Sequence, residues 1–129
     1  MRLFYLFFCL LCVVTGCQPA EKAPVSPLTL LTEPSLQLQL TPGHAPVETP
    51  LQLQLTAAGV TEVSGELTGV SMYMGRIPLR FVQQGDSWQA DFLLGACSDP
   101  DMLWQLQLEL HFADGQKRML KQQFHSSWH

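Results

Sequence analysis

The chain has 129 residues and a mildly acidic balance, with 11 Asp and Glu against 7 Lys and Arg. Nucleic-acid binding is excluded, because the sequence has no basic cluster of the kind that displaces counterions from phosphates. Even without an N-terminal signal, a chain of this length is enough for one domain with its own core and too short for two.

The N-terminus has the order of a secretory signal. Arg2 precedes an apolar run over residues 3–14, which is shorter than the roughly 20 apolar residues that a membrane-spanning helix needs. The run ends in Val14-Thr15-Gly16-Cys17, which resembles a bacterial lipobox: an aliphatic residue, two small residues and the Cys that is acylated. The resemblance implies a lipoprotein signal peptide over residues 1–16 and a lipidated, palmitate-bearing Cys17.

A lipidated Cys17 implies a protein of the bacterial cell envelope that is held on the membrane and faces the periplasm. One acyl chain binds a bilayer only marginally, whereas more than one gives a lasting anchor. Gln18 follows the Cys at the position where Asp is the inner-membrane retention signal of the resembled lipoproteins. The outer membrane is therefore favoured over the inner membrane.

Processing at the lipobox would leave one thiol in the mature chain. Cys9 and Cys12 belong to the signal and Cys17 carries lipid, so that Cys97 remains. In an oxidising compartment a lone thiol is buried and inert, a metal ligand, or a site of intermolecular pairing. All three alternatives stay open at this point.

Residues 17–34 are rich in proline and predict a flexible tether after the lipidated Cys. Its apolar part, residues 28–31, is either disordered or lies along the domain. A single domain is predicted over residues 35–129.

That domain is predicted to consist of strands. Leu and Gln alternate strictly in residues 36–40 and again in 51–55, as in strands with one buried face. Further strands are expected near residues 63–70, 77–82, 88–94, 103–112 and 117–124, about seven in all. Asp114-Gly115 and residues 84–86 predict hairpin turns. The sequence therefore predicts an all-β fold, an antiparallel immunoglobulin-like β-sandwich, with an up-and-down barrel as the alternative.

The strand over residues 103–112 predicts which side chains face the core. Trp104 and every second residue after it are apolar, and extending this alternation backward places Met102 on the same inner face. His111 is expected on the solvated face.

Two stretches carry the sulfur atoms of the predicted domain's loops. Met72 and Met74 share one side of an extended Met-Tyr-Met-Gly segment, and Cys97 and Met102 flank a Ser-Asp-Pro-Asp turn. Thioether and thiolate ligands suit a soft cation such as Cu(I). These four residues are the candidate metal site. The alternatives are that they fill gaps in the core or form a protein-binding surface.

The Met72–Gly75 segment, followed by Gly85-Asp86-Ser87-Trp88 at the start of a strand, resembles small envelope sandwich domains of the YtkA and FixH kind. The resemblance spans roughly residues 69–112. It implies a role in copper handling or cytochrome oxidase assembly.

No catalytic motif supports an enzyme, since the sequence lacks a Gly-x-Ser-x-Gly, a His-Glu-x-x-His and a paired-carboxylate motif. The predicted function is a non-catalytic, lipid-anchored envelope protein that binds Cu(I) or another soft metal. The alternative is an interaction or structural lipoprotein that holds no metal, docking an envelope protein partner through exposed Met and aromatic residues.

Overall fold

The computed structural model describes residues 25–128, which form nine strands. The predicted signal peptide, the lipidated Cys17, most of the tether and His129 lie outside the described residues. The strands are β1 (Leu28–Glu33), β2 (Leu36–Thr41), β3 (Leu51–Ala57), β4 (Val60–Gly69), β5 (Arg76–Arg80), β6 (Val82–Gln84), β7 (Ser87–Phe92), β8 (Leu103–Phe112) and β9 (Lys117–His125).

The strands form two sheets, ordered β1-β2-β3-β7-β6 and β5-β4-β8-β9. Each pair of hydrogen-bonded neighbours among these nine strands is antiparallel. Strands β2-β3-β7-β6 follow the A-B-E-D order of immunoglobulin domains, and β5-β4-β8-β9 follow C′-C-F-G. The predicted all-β, antiparallel immunoglobulin-like sandwich is confirmed. Because the described strands form two separate sheets, the alternative of an up-and-down barrel is wrong.

Alternating Leu residues build the core between the sheets. In β2 and β3 the Leu side chains are buried and the Gln side chains between them lie toward solvent. In β8, Trp104 and the three alternate Leu residues after it are buried, as the sequence predicts. Since the described residues contain this whole core cluster, the span 25–128 carries its own hydrophobic core.

The predicted boundary between tether and domain at residue 34 is wrong. Residues 28–33 form β1, which pairs with β2 from Leu28 opposite Leu40 to Glu33 opposite Leu36, with a bulge after Thr29. Pro27 and Pro34 flank this strand instead of interrupting it, so neither removes a donor from within the ladder. The Pro-rich composition therefore concealed an edge strand.

The predicted count of about seven strands is too low, because β1 lies within the predicted tether and because one predicted strand is in fact two. The run over residues 77–82 is two strands that belong to different sheets: β5 pairs with β4, and β6 pairs with β7. Phe81 lies between them, where the chain crosses from one sheet to the other. Pro78 is tolerated within β5 because β5 is an edge strand.

The edge strands β1 and β9 are joined across the sandwich by an ion pair. Arg118 donates two hydrogen bonds to Glu33, from Nη2 to Oε1 at 2.6 Å and from Nη1 to Oε2 at 2.8 Å. These hydrogen bonds favour the charged carboxylate and hold the pKa of Glu33 below its ordinary value.

Candidate functional site

The two loops that carry the sulfur residues meet at one end of the sandwich. One connects β4 to β5 over residues 70–75, and the other connects β7 to β8 over residues 93–102. The amide of Val70 donates to the Leu103 carbonyl at 2.8 Å, and the amide of Leu103 donates to Ser71 Oγ at 2.8 Å. We call this end, with both loops, residues 25–28, 42–50 and 125–128, the sulfur end.

Cys97 and Met102 form a sulfur pair within the second loop. Cys97 Sγ lies 3.3 Å from Met102 Sδ and 3.4 Å from the carbonyl oxygen of Asp99. The Cys97 side chain is half-buried, whereas Met102 is only 1% exposed. The amide of Asp101 donates to Asp99 Oδ1 at 3.0 Å, which closes the intervening turn and brings the two sulfur atoms together.

Met74 lies on the β4–β5 loop and contacts the β7–β8 loop, whereas the Met72 side chain lies at the surface. A Cβ added at Gly95 would lie 3.6 Å from Met74 Cε, so the end of the half-buried Met74 side chain covers that glycine. Met72 is 41% exposed. The structure therefore brings three of the four predicted sulfur residues to the same loop and leaves the Met72 side chain at the surface.

Glycine allows the two loops to approach this closely. A Cβ at Gly69 would overlap both the carbonyl oxygen of Met72 and Cε of Met102. Gly75 has a φ of 76°, a left-handed conformation that ends the first loop at little cost only in glycine. The loop that holds Met72 and Met74 therefore needs glycine at both ends, at positions 69 and 75.

A buried hydrogen-bonded group fixes the backbone of Met102. The Ser126 amide donates to the Met102 carbonyl at 3.0 Å, and Trp104 Nε1 donates to Ser126 Oγ at 3.1 Å. Trp104 is fully buried and Ser126 is 3% exposed. Sequence reasoning missed Ser126, for which the only available signal was that a buried indole needs an acceptor.

The histidines and carboxylates do not extend the sulfur pair. His111 Nε2 lies 2.6 Å from Glu109 Oε1 on the outer face of its sheet, and His125 Nδ1 lies 3.2 Å from Asp101 Oδ1. Within residues 25–128, no group of three or more His, Cys, Asp or Glu side chains is arranged to hold a metal ion. A metal at the sulfur end would therefore depend on Cys97 and the methionines.

A groove of about 330 Å³ lies at the opposite end of the sandwich, lined in part by Trp88, Asp86 and Gln83. It contains none of the sulfur residues.

No family model, curated protein or solved structure matches this chain. In the part of the chain that the structure describes, no helix is long and apolar enough to cross a bilayer.

Proposed function

We propose that this protein is a non-catalytic lipoprotein of the bacterial envelope, anchored through Cys17, whose sulfur end binds Cu(I) on the periplasmic side. The observation that carries the metal proposal is the 3.3 Å approach of Cys97 Sγ to Met102 Sδ. A thiolate and a thioether are soft ligands, and such ligands select monovalent copper among biological cations.

Cys97 and Met102 are the proposed primary ligands, with Met74 as the third sulfur. Cys97 would bind as a thiolate, so binding releases its proton, whereas the thioethers bind as neutral groups. Copper affinity is therefore expected to weaken as the pH falls. Met72 lies at the surface and is assigned to capture of the ion rather than to its final coordination.

The copper proposal is tested by competition for Cu(I) against a chromogenic chelator. The protein is the reduced chain from residue 18, in which Cys97 is the only thiol. We expect Cys97→Ser and Met102→Leu each to weaken binding at least tenfold, because each removes a sulfur ligand. Leu has nearly the volume of Met, so the fold is retained.

Met119→Leu is the matched control, since Met119 lies on β9 away from the sulfur end. It should bind as the parent does. Equal Cu(I) binding by Met102→Leu and the parent would refute the assigned site, and a parent that cannot compete with a weak chelator would refute copper binding altogether.

A metal-free docking role is the second candidate. It is supported by Tyr73, which is 82% exposed beside Met72 instead of packing in the core. Exposed aromatic and Met side chains are typical of docking surfaces. The lipid anchor is common to both candidates, and intact-mass measurement of the mature protein with and without Cys17→Ser tests it separately.

A further inference from the structure

Exposed apolar side chains are concentrated at the sulfur end. In residues 25–128, nine large apolar side chains are exposed, and seven of them belong to this end. Three are on the β4–β5 loop, two lie at the start of the described chain, and the others are Leu93 (55% exposed) and Trp128 (46% exposed). The remaining two, Val82 and Met119, lie on β6 and β9. The long sides of the sandwich are therefore nearly free of such residues, and one end is rich in them.

The types of residue at this end suit a bilayer surface. Tyr73 and Trp128 combine an apolar ring with a polar group, and such side chains concentrate at the boundary between headgroups and acyl chains. Leu93 and Val70, which is 47% exposed, add purely apolar contact area. A surface of this composition gains free energy when it is removed from water.

Chain geometry places the sulfur end nearest to the anchor. The carbonyl of Ser26 accepts a hydrogen bond from the Gly43 amide at 2.9 Å, so the described chain begins at this end. Cys17 precedes Val25 by eight residues, which can span at most about 29 Å. The ten residues of β8 alone are roughly 33 Å long. An anchored chain therefore brings this end to the membrane more readily than the opposite end.

Charge indicates which kind of lipid surface fits. Among the described residues, the sulfur end has the acidic side chains Glu48, Asp99 and Asp101 and no Lys. Arg76, the first residue of β5 and next to this end, lies 3.6 Å from Glu66. Attraction to anionic headgroups is therefore not the driving term, and a zwitterionic surface is the better match.

We propose that the sulfur end docks on the zwitterionic lipid surface that holds the anchor, with Tyr73, Leu93 and Trp128 inserted at the interface. The inference rests on the lipidation of Cys17 proposed above. It goes beyond the metal proposal, because it assigns Tyr73, Leu93 and Trp128, none of which is a proposed copper ligand, to lipid.

The first test uses the full lipidated protein in phosphatidylcholine vesicles that contain lipids brominated near the headgroup. Of the three Trp side chains, Trp104 is buried, the half-buried Trp88 lines the groove at the opposite end, and Trp128 is exposed at the sulfur end. Quenching by the brominated lipid should therefore be lost in Trp128→Phe. The variant Tyr73→Ser, Leu93→Ser should reduce quenching by at least half. The control variant Val82→Ser, Met119→Ser removes the two exposed large apolar side chains that lie elsewhere in the described residues, 57% and 48% exposed, and should be quenched as the parent is.

The second test separates docking from anchoring. The unlipidated chain from residue 18 is mixed with the same vesicles, and its partition is measured by sedimentation. Tyr73→Ser and Trp128→Ser should each weaken partition into the vesicles about tenfold. Added salt should change it little.

The outcomes are distinguishable. Failure to find an acylated Cys17 would overturn the lipid anchor, and the partition experiment would still decide whether the end docks on lipid. An anchored protein whose Trp128 is not quenched, together with an unlipidated chain that does not partition, would overturn lipid docking and leave this end to a protein partner.

Discussion

The hydrogen bond between Trp104 and Ser126 provides a sharp test of how the sulfur end is held together. In Ser126→Ala, Trp104 Nε1 loses its acceptor at 3.1 Å inside a fully buried environment. An orphaned buried donor costs about 1–3 kcal/mol. For a domain of this size the midpoint of thermal unfolding should fall by about 4–8 °C for each kcal/mol.

A double-mutant cycle with Trp104→Phe isolates the interaction. Phe has no N–H, so the later removal of the Ser126 hydroxyl leaves no orphaned donor. We therefore expect Ser126→Ala to cost at least about 1 kcal/mol less in the Trp104→Phe background than in the parent. The measurement is urea unfolding of the chain from residue 18, followed by far-ultraviolet circular dichroism.

Ser64→Ala is the control, because Ser64 is exposed on β4 and its replacement should change stability by less than about 0.5 kcal/mol. If Ser126→Ala costs the same in both backgrounds, or costs no more than Ser64→Ala, the indole does not depend on this hydroxyl and the reasoning is refuted.

Three further predictions concern packing and charge. Gly69→Ala should lower the free energy of unfolding by about 1–3 kcal/mol, measured by urea titration, because its Cβ would overlap Met102 Cε and a backbone carbonyl. Leu108→Ala should lower it by about 2–5 kcal/mol in the same assay, since Leu108 is fully buried in a central strand. The lowered pKa of Glu33, held down by its hydrogen bonds from Arg118, stabilises the fold above the ordinary titration range of a carboxyl group. This contribution should be lost as the pH falls through the lowered pKa, so the stability difference between parent and Glu33→Gln should shrink in acid.

Much of the fold could be predicted because one face of most strands is buried. Strict alternation in β2, β3 and β8 gave the correct inner face, and Asp114-Gly115 gave the correct hairpin. The two missed strands lacked that signal. β1 is only partly buried and lies between prolines, and β6 has three residues that are all exposed.

The site could be predicted only in part. Alternation correctly placed Met102 on the inner face with Trp104, but it says nothing about which loops meet at one end. The approach of Cys97 to Met102 depends on a turn closed by Asp99, and Met74 is placed by its contact with the other loop beside Gly95. These are packing contacts between loops, for which the sequence has no periodic pattern.

The outer strands of the two sheets have a consequence for the lipid-anchored protein proposed above. Molecules anchored on one leaflet would collide repeatedly in the same orientation, and an open strand edge would let them join into extended sheets. β1 is distorted by its bulge, β5 contains Pro78, β6 is only three residues long, and β9 has Lys117, Arg118 and Lys121 along its length. Each outer strand therefore has a feature that discourages lateral growth, and crowded copies should remain separate particles.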